Sequence, residues 1–260
     1  MKPPTNSFPR VNGLWGDRIW GRLLFAADRK PISCAKQRIE VAIGNASVEL
    51  WLESCGRGDT SHKPALVVLR LLGARGRAEL ATQDPARYLL SVTSLVATMN
   101  PAGSGSTRGT CLLSRYFAGI VAAYDSITEH FPGAAIWVHG KSIGGLGALY
   151  LAAIRSPNAI VVRNVVDVGG IAAARAGRGI RAFIPAALDA QRWAAHARCP
   201  ALFVVSSDDR FARPTIQQNV AAVYAGPIDR LEVGGAHDDR QLMAHDVPRY
   251  AAALMRLWAR

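Results

Sequence analysis

The stretch Ala134-Ala-Ile-Trp-Val-His-Gly-Lys-Ser-Ile-Gly-Gly145 constrains this chain most, because a short apolar run ends in Gly140-Lys141-Ser142-Ile143-Gly144 and opens into Ala- and Leu-rich sequence. The apolar run reads as a buried strand and the following stretch as a helix. Between them there is room only for a sharp turn that carries the serine. Glycines two residues before and after Ser142 permit that turn, since the backbone segments approach so closely that a Cβ would clash. The turn lifts the Ser142 hydroxyl above the strand end and leaves it accessible.

Two other readings of the glycines fail on spacing. Gly140-Lys141-Ser142 also matches the end of a phosphate-binding loop, but the first glycine of that pattern falls on Ala135. Ile136, Trp137, Val138 and His139 are moreover strand formers, where a phosphate cradle needs loop. Gly103-Ser104-Gly105 is followed by Arg108 where a dinucleotide fingerprint needs its third glycine.

Strand and helix signals alternate along the rest of the chain. Ile39-Glu-Val-Ala-Ile43 and Val48-Glu-Leu-Trp-Leu52, separated by Gly44-Asn45, predict an antiparallel hairpin near a sheet edge. Beyond a polar loop over residues 54–63, Leu66-Val-Val-Leu69 and Ser94 to Met99 predict strands. Leu113, Tyr116, Phe117, Ile120, Tyr124, Ile127 and Phe131 recur at helical spacing up to Pro132-Gly133. Further strands are expected over Val161 to Val168, Ala201 to Val205 and Asp229 to Val233, with a helix over Ile216 to Tyr224. A last helix runs to about Trp258, with Asp246 at its N-cap and Pro248 in its first turn. Such alternation implies an α/β fold with a mainly parallel central sheet, helices on both faces and the hairpin at the N-terminal side.

At 260 residues, with no linker-like stretch, the expectation is one domain over residues 39–260 preceded by an extension over 1–38, in which Trp15, Trp20, Leu23 and Leu24 suggest packing. No apolar run is long enough to span a membrane. Residues 1–9 lack the apolar core of a secretory signal, so the expected location is cytoplasmic. Cys34, Cys55, Cys111 and Cys199 lack metal or disulfide spacing and read as free thiols. The net charge of +12 favours anionic partners. Residues 1–40 hold eight basic against three acidic side chains, and residues 151–200 seven against two. Neither is a dense Lys/Arg block interleaved with aromatics, so nucleic acid is not an expected partner. The sequence specifies no oligomeric state.

An accessible Ser142 acts as a nucleophile only with a base to take its proton and an acid to orient that base. In a sheet of this type the chain order is serine, acid, histidine. Asp208 and Asp209 follow the strand ending at Val205, and His237 follows the last strand within Gly234-Gly-Ala-His-Asp238. Parallel strands bring their C-terminal ends to one rim, where such loops can meet. Asp209 is preferred as the acid because Asp209-Arg-Phe approaches Pro214, with Asp208 as the alternative. His62, His130, His139, His196 and His245 read as structural or solvated, and the His237-Asp238-Asp239 run lacks further ligands at metal-binding spacing. No cofactor is expected.

With these residues, the chain resembles the α/β-hydrolases of the serine hydrolase type over roughly residues 39–258. Ser142 in Gly140-Lys-Ser-Ile-Gly144, Asp209 in Ser206-Ser-Asp-Asp209 and His237 in Gly235-Ala-His237 match that family's nucleophile, acid and base. Asn100-Pro-Ala-Gly-Ser-Gly105 resembles the Gly-rich loop after the family's fourth strand. The resemblance implies hydrolysis of a carboxylic ester or thioester through an acyl-enzyme on Ser142. It also implies an oxyanion hole built from the backbone N–H groups of Ile143 and Ala74. Where many members carry His-Gly after the third strand, this chain has Leu72-Gly73. A backbone donor survives that change, although Leu72 puts the second donor in question. The segment from Gly170 to Arg198, where relatives insert a cap, is short, so a small lid or an open cleft is expected. Arg175, Arg178 and Arg181 in it are candidate substrate-binding residues for a small acyl ester carrying a carboxylate or phosphate. A serine peptidase of the same fold uses the same residues. A non-catalytic binding or effector protein that keeps the fold is the reading from a different class.

Overall fold

Leu66-Val-Val-Leu-Arg-Leu71 shows no polar alternation, and in the computed structural model of the chain all six of its residues are buried, as a strand covered on both faces requires. The structure describes residues 13–25, 28–55 and 63–260, with the side chains of residues 13–15 and 178 left outside the description. Most of the polar loop expected over residues 54–63 therefore lies outside the described residues, as do His62 and the side chain of Trp15. Eight strands form one mixed sheet: β1 (Gln37–Ile43), β2 (Ala46–Cys55), β3 (Leu66–Leu71), β4 (Ser94–Asn100), β5 (Ala135–Lys141), β6 (Ala159–Arg163), β7 (Ala201–Ser206) and β8 (Ile228–Val233). Their order is β1-β2-β4-β3-β5-β6-β7-β8. β1 and β2 form the antiparallel hairpin, with Ile43 opposite Ala46, and β2 runs antiparallel to β4. The β3–β4, β6–β7 and β7–β8 pairs are parallel. By internal contacts the chain divides into two compact units between Val138 and His139.

In the first unit, helix α2 (Leu113–His130) lies against the sheet, burying Leu113, Tyr116, Phe117, Ile120 and Ile127 of the residues that its sequence periodicity selects, while Tyr124 is half-buried and Phe131, also half-buried, stands just past the helix end. A further helix, α1 (Gly13–Leu24), packs on α2 from within the 1–38 segment. It is held by a stripe one turn apart. Buried Asp17 accepts the Ser114 N–H at 2.7 Å. A Cβ on Gly21 would lie 2.4 Å from the Cys111 carbonyl oxygen, and Phe25 stacks on Tyr116 with ring centroids 4.2 Å apart. Trp20 and Leu24 are half-buried, while Leu23 is exposed.

The loop after β4 is fixed by a buried polar cluster. Asn100 donates to Glu49 at 3.1 Å and to Glu79 at 3.0 Å, and its oxygen accepts the Ala78 N–H at 2.8 Å. Arg77 closes on Glu79 at 2.6 Å. Burial alone would push the Glu79 carboxyl up, but its hydrogen bonds from Arg77 and Asn100 outweigh it and hold the group below its ordinary value.

The second unit carries α3 (Ile143–Ile154), α4 (Val168–Ala176), α5 (Ala190–Ala194), α6 (Pro214–Ala222) and α7 (Val247–Trp258). Two expectations are corrected here. The strand expected over Val161 to Val168 stops at Arg163, because Asn164 takes φ 50° and its amide exchanges two hydrogen bonds with Ser206. Val165 and Val166 are buried beyond the strand, and the Val166 N–H donates to the Ser142 carbonyl. Asp246 does stand before α7, yet its side chain does not cap that helix; it accepts from the Gly234 N–H at 2.8 Å and from Arg249. Among the described residues, no helix is long and apolar enough to cross a membrane.

Candidate active site

Ser142 sits between the end of β5 and the start of α3 with φ 58° and ψ −121°. Such a conformation costs a non-glycine residue about 1–3 kcal/mol, and the surrounding chain holds it in place. The Ser142 N–H donates to the Arg163 carbonyl at 3.0 Å, and its own carbonyl accepts from Gly145 at 2.9 Å. Gly140 has no alternative residue here, since a Cβ would stand 2.1 Å from the Gly144 carbonyl oxygen. Serine is a favoured N-cap. This one makes no capping hydrogen bond to α3, and its hydroxyl lies instead 2.9 Å from His237 Nε2.

His237 is carried by the loop after β8, and its Nδ1 lies 2.7 Å from Asp209 Oδ2. A carboxylate only accepts, so Nδ1 carries the proton and Nε2 offers its lone pair to the Ser142 hydroxyl. Asp209, buried in the loop after β7, has each oxygen fixed. Oδ1 accepts the N–H groups of Phe211 and Ala212 at 3.0 and 2.7 Å, and Oδ2 also accepts Gln217 Nε2 at 3.0 Å. Asp208 points elsewhere: it is exposed and accepts from the Ser207 hydroxyl. A small apolar cluster of Val166, Ile171 and Ala212, with Ile216 against it, packs the acid loop onto the starts of α4 and α6.

The sequence matches no protein-family model and no curated protein. Solved structures do resemble the chain. An acylaminoacyl peptidase of Pyrococcus horikoshii superposes with a TM-score of 0.65 at 15% identity over 88% of this chain and 42% of its own, so this chain spans well under half of that protein. An esterase of Pyrococcus furiosus gives 0.65 at 13% identity over 89% of this chain and 97% of its own. Est1E of Butyrivibrio proteoclasticus, with ferulic acid bound, gives 0.66 at 12% identity over 85% and 100%. This chain has the α/β-hydrolase fold.

In this α/β-hydrolase fold the first residue of α3 is Ile143, so its N–H has no carbonyl one turn back to bond. Ala74 lies in the first unit, exposed, in a turn closed by the Gly76 N–H on the Gly73 carbonyl at 3.0 Å. That turn leaves the Ala74 N–H unused by its own closing bond. Leu72 packs over Gly76, where an added Cβ would lie 2.5 Å from it. Of the three arginines, Arg175 is exposed with its guanidinium carbon 5.6 Å from the centre of the Phe211 ring, and Phe211 stands 5.0 Å from the His237 ring. Arg181 is engaged by buried Asp167 at 2.8 Å. The side chain of Arg178 lies outside the described residues.

Sequence reading passed over the residues that steady this constellation. Gln217 is fully buried and divides its amide between Asp209 and the Ala212 carbonyl; its only signal is a polar residue sharing the inward face of α6 with Val220 and Ala221. Lys141 donates to the Asp239 carbonyl at 2.7 Å, as does Arg163 at 3.3 Å, tethering the histidine loop. The lysine that mimics a phosphate-loop residue is thus bound to backbone. Phe211 stands in a polar run and carries no sequence mark of its contact with His237.

Proposed function

We propose that the protein is a serine hydrolase that cleaves a carboxylic ester or thioester through an acyl-enzyme on Ser142. The observation that carries this reading is the unbroken hydrogen-bonded path from the Ser142 hydroxyl through the His237 ring to the buried Asp209 carboxylate. His237 Nε2 takes the hydroxyl proton as Ser142 Oγ bonds to the acyl carbon. The negative charge moves to the carbonyl oxygen, where the Ile143 N–H and, by the family resemblance, the Ala74 N–H receive it. Collapse breaks the bond to the alcohol or thiol, which leaves with the proton from His237. Water then gives a proton to His237 and its oxygen to the acyl group, releasing the acid and restoring Ser142.

Arg175 is proposed as a substrate contact at the rim, favouring esters that carry a carboxylate or phosphate. An aromatic acyl or leaving group has Phe211 to lie against. A peptidase reading has one observation in its favour, the likeness to an acylaminoacyl peptidase.

The test is labelling with a fluorophosphonate probe followed by peptide mass spectrometry, alongside turnover of short-chain p-nitrophenyl esters, thioesters and an acyl-peptide anilide. Labelling is expected on Ser142, absent in Ser142→Ala and strongly reduced in His237→Ala, with ester turnover above anilide turnover. A folded protein that takes no label and turns over none of these substrates is instead a binding or effector protein. Anilide turnover above ester turnover makes it a peptidase.

A further inference from the structure

The face of α1 turned to solvent carries two large aliphatic side chains one turn apart. On a helix turning about 100° per residue, Ile19 stands opposite the Asp17–Gly21 seam that packs α1 onto α2, with Leu23 on one side of it and Arg22 on the other. Ile19 is 53% and Leu23 69% exposed. Arg18 and Arg22 lie one turn apart beside them, also exposed, and among the described residues neither has an ion-pair partner. Between α1 and the segment leading into α2 is a cleft of about 430 Å3, rimmed by Arg18, Arg22 and Arg29 and floored by Phe25, Cys111 and Leu112. Burial and the nearby Asp17 charge push the Cys111 thiol up to about 11, so the floor stays neutral.

Two exposed branched aliphatic residues on the outward crest of a helix, flanked by exposed guanidinium groups over an apolar-floored cleft, are the features of a helix suited to a membrane interface. Guanidinium groups match phosphate oxygens in pairs, and a chain with a net charge of +12 is drawn to a negatively charged leaflet. We propose that α1 docks the protein on anionic phospholipid bilayers, with Ile19 and Leu23 below the headgroups and Arg18 and Arg22 on lipid phosphates, while Arg29, at the cleft rim, donates to the Gly109 carbonyl. The proposal is independent of the chemistry at Ser142.

The experiment is co-sedimentation of the full chain with vesicles of mixed phosphatidylglycerol and phosphatidylcholine, and with vesicles of phosphatidylcholine alone. Binding is expected to the mixed vesicles only, weakening as salt is raised. Ile19→Ser with Leu23→Ser, which leaves the charge unchanged, lowers the partition coefficient by about tenfold or more. Arg18→Glu with Arg22→Glu does the same, whereas the charge-matched pair Arg198→Glu with Arg256→Glu, remote in sequence and exposed, lowers it by less. All the substituted side chains are exposed, so each variant keeps its circular-dichroism spectrum, and Ser142→Ala binds as the wild type does. No binding to the mixed vesicles overturns the proposal. So does binding that Ile19→Ser with Leu23→Ser leaves unchanged, or that the two charge-reversed pairs weaken equally, since general attraction of a basic protein then accounts for it. A dimer in solution that Leu23→Ser dissociates, without vesicle binding, assigns the face to a second copy of the chain instead.

Discussion

Asp209 accepts four hydrogen bonds, two from backbone and two from side chains, while its neighbour Asp208 faces solvent. This difference between adjacent residues decides a prediction. In Asp209→Asn an amide that donates toward His237 Nδ1 favours the wrong ring tautomer, and ester turnover is expected to fall by about 10⁴. Asp208→Asn is expected to stay within about threefold of wild type, because its side chain is exposed and accepts from the neighbouring Ser207 hydroxyl. Steady-state rates on one p-nitrophenyl ester compare the two, and equal losses would contradict the assignment. The serine and histidine could be found in sequence because glycines announce tight turns at both. Two aspartates in a row offer only the approach of Asp209-Arg-Phe to Pro214 as a mark, since which one turns inward is set by the N–H groups of Phe211 and Ala212 and by Gln217, eight residues on.

At the scale of elements, what sequence periodicity reaches and what it misses separate cleanly. β1 obeys its apolar period and α2 largely does, whereas β2 buries Ser47 and Glu49 together with Val48 and Leu50, because Glu49 joins the polar cluster around Asn100. Val161 to Val168 also reads as one strand, but only its first part joins the ladder; Val165 and Val166 are apolar because they are buried beside the Ser142 turn. Apolarity reports burial, and only pairing reports a strand. α4 and α5 lie in an Ala-, Arg- and Gly-rich stretch without a clear period. The loop after β4 makes an element-scale prediction through Glu79. Its carboxyl is held below its ordinary value, so it binds a proton more readily unfolded than folded. Its stabilisation is therefore full above the unfolded-state value and fades as the pH falls through the folded one. Glu79→Gln leaves buried Arg77 with Asp28 as its remaining carboxylate partner and is expected to cost about 2 kcal/mol at neutral pH. In urea unfolding followed across the acidic range, the two proteins should converge. A constant gap would show that the charge on Glu79 is not what holds the loop.

For the molecule as a whole the governing quantity is the charge, +12 on 260 residues, which sets a field felt well before contact. A field and a local contact make different demands on the same kinetic measurement. Attraction by the field acts on encounter and is screened over a Debye length of about 10 Å at 0.1 M salt. For an ester bearing a carboxylate, kcat/KM is therefore expected to fall several-fold as salt rises from about 20 to 200 mM, while a neutral ester of similar size changes by less than about twofold. Arg175, proposed as a substrate contact and placed against Phe211, would act at short range. Arg175→Ala removes one charge of many, so it is expected to lower the ratio of anionic to neutral ester turnover at fixed salt and to leave the slope with salt nearly as it was. If the substitution abolishes the slope and spares the ratio, the preference for anions belongs to steering through Arg175 and not to a contact in the bound complex. If neither changes, the arginine-rich segment between Gly170 and Arg198 takes no part in choosing the substrate.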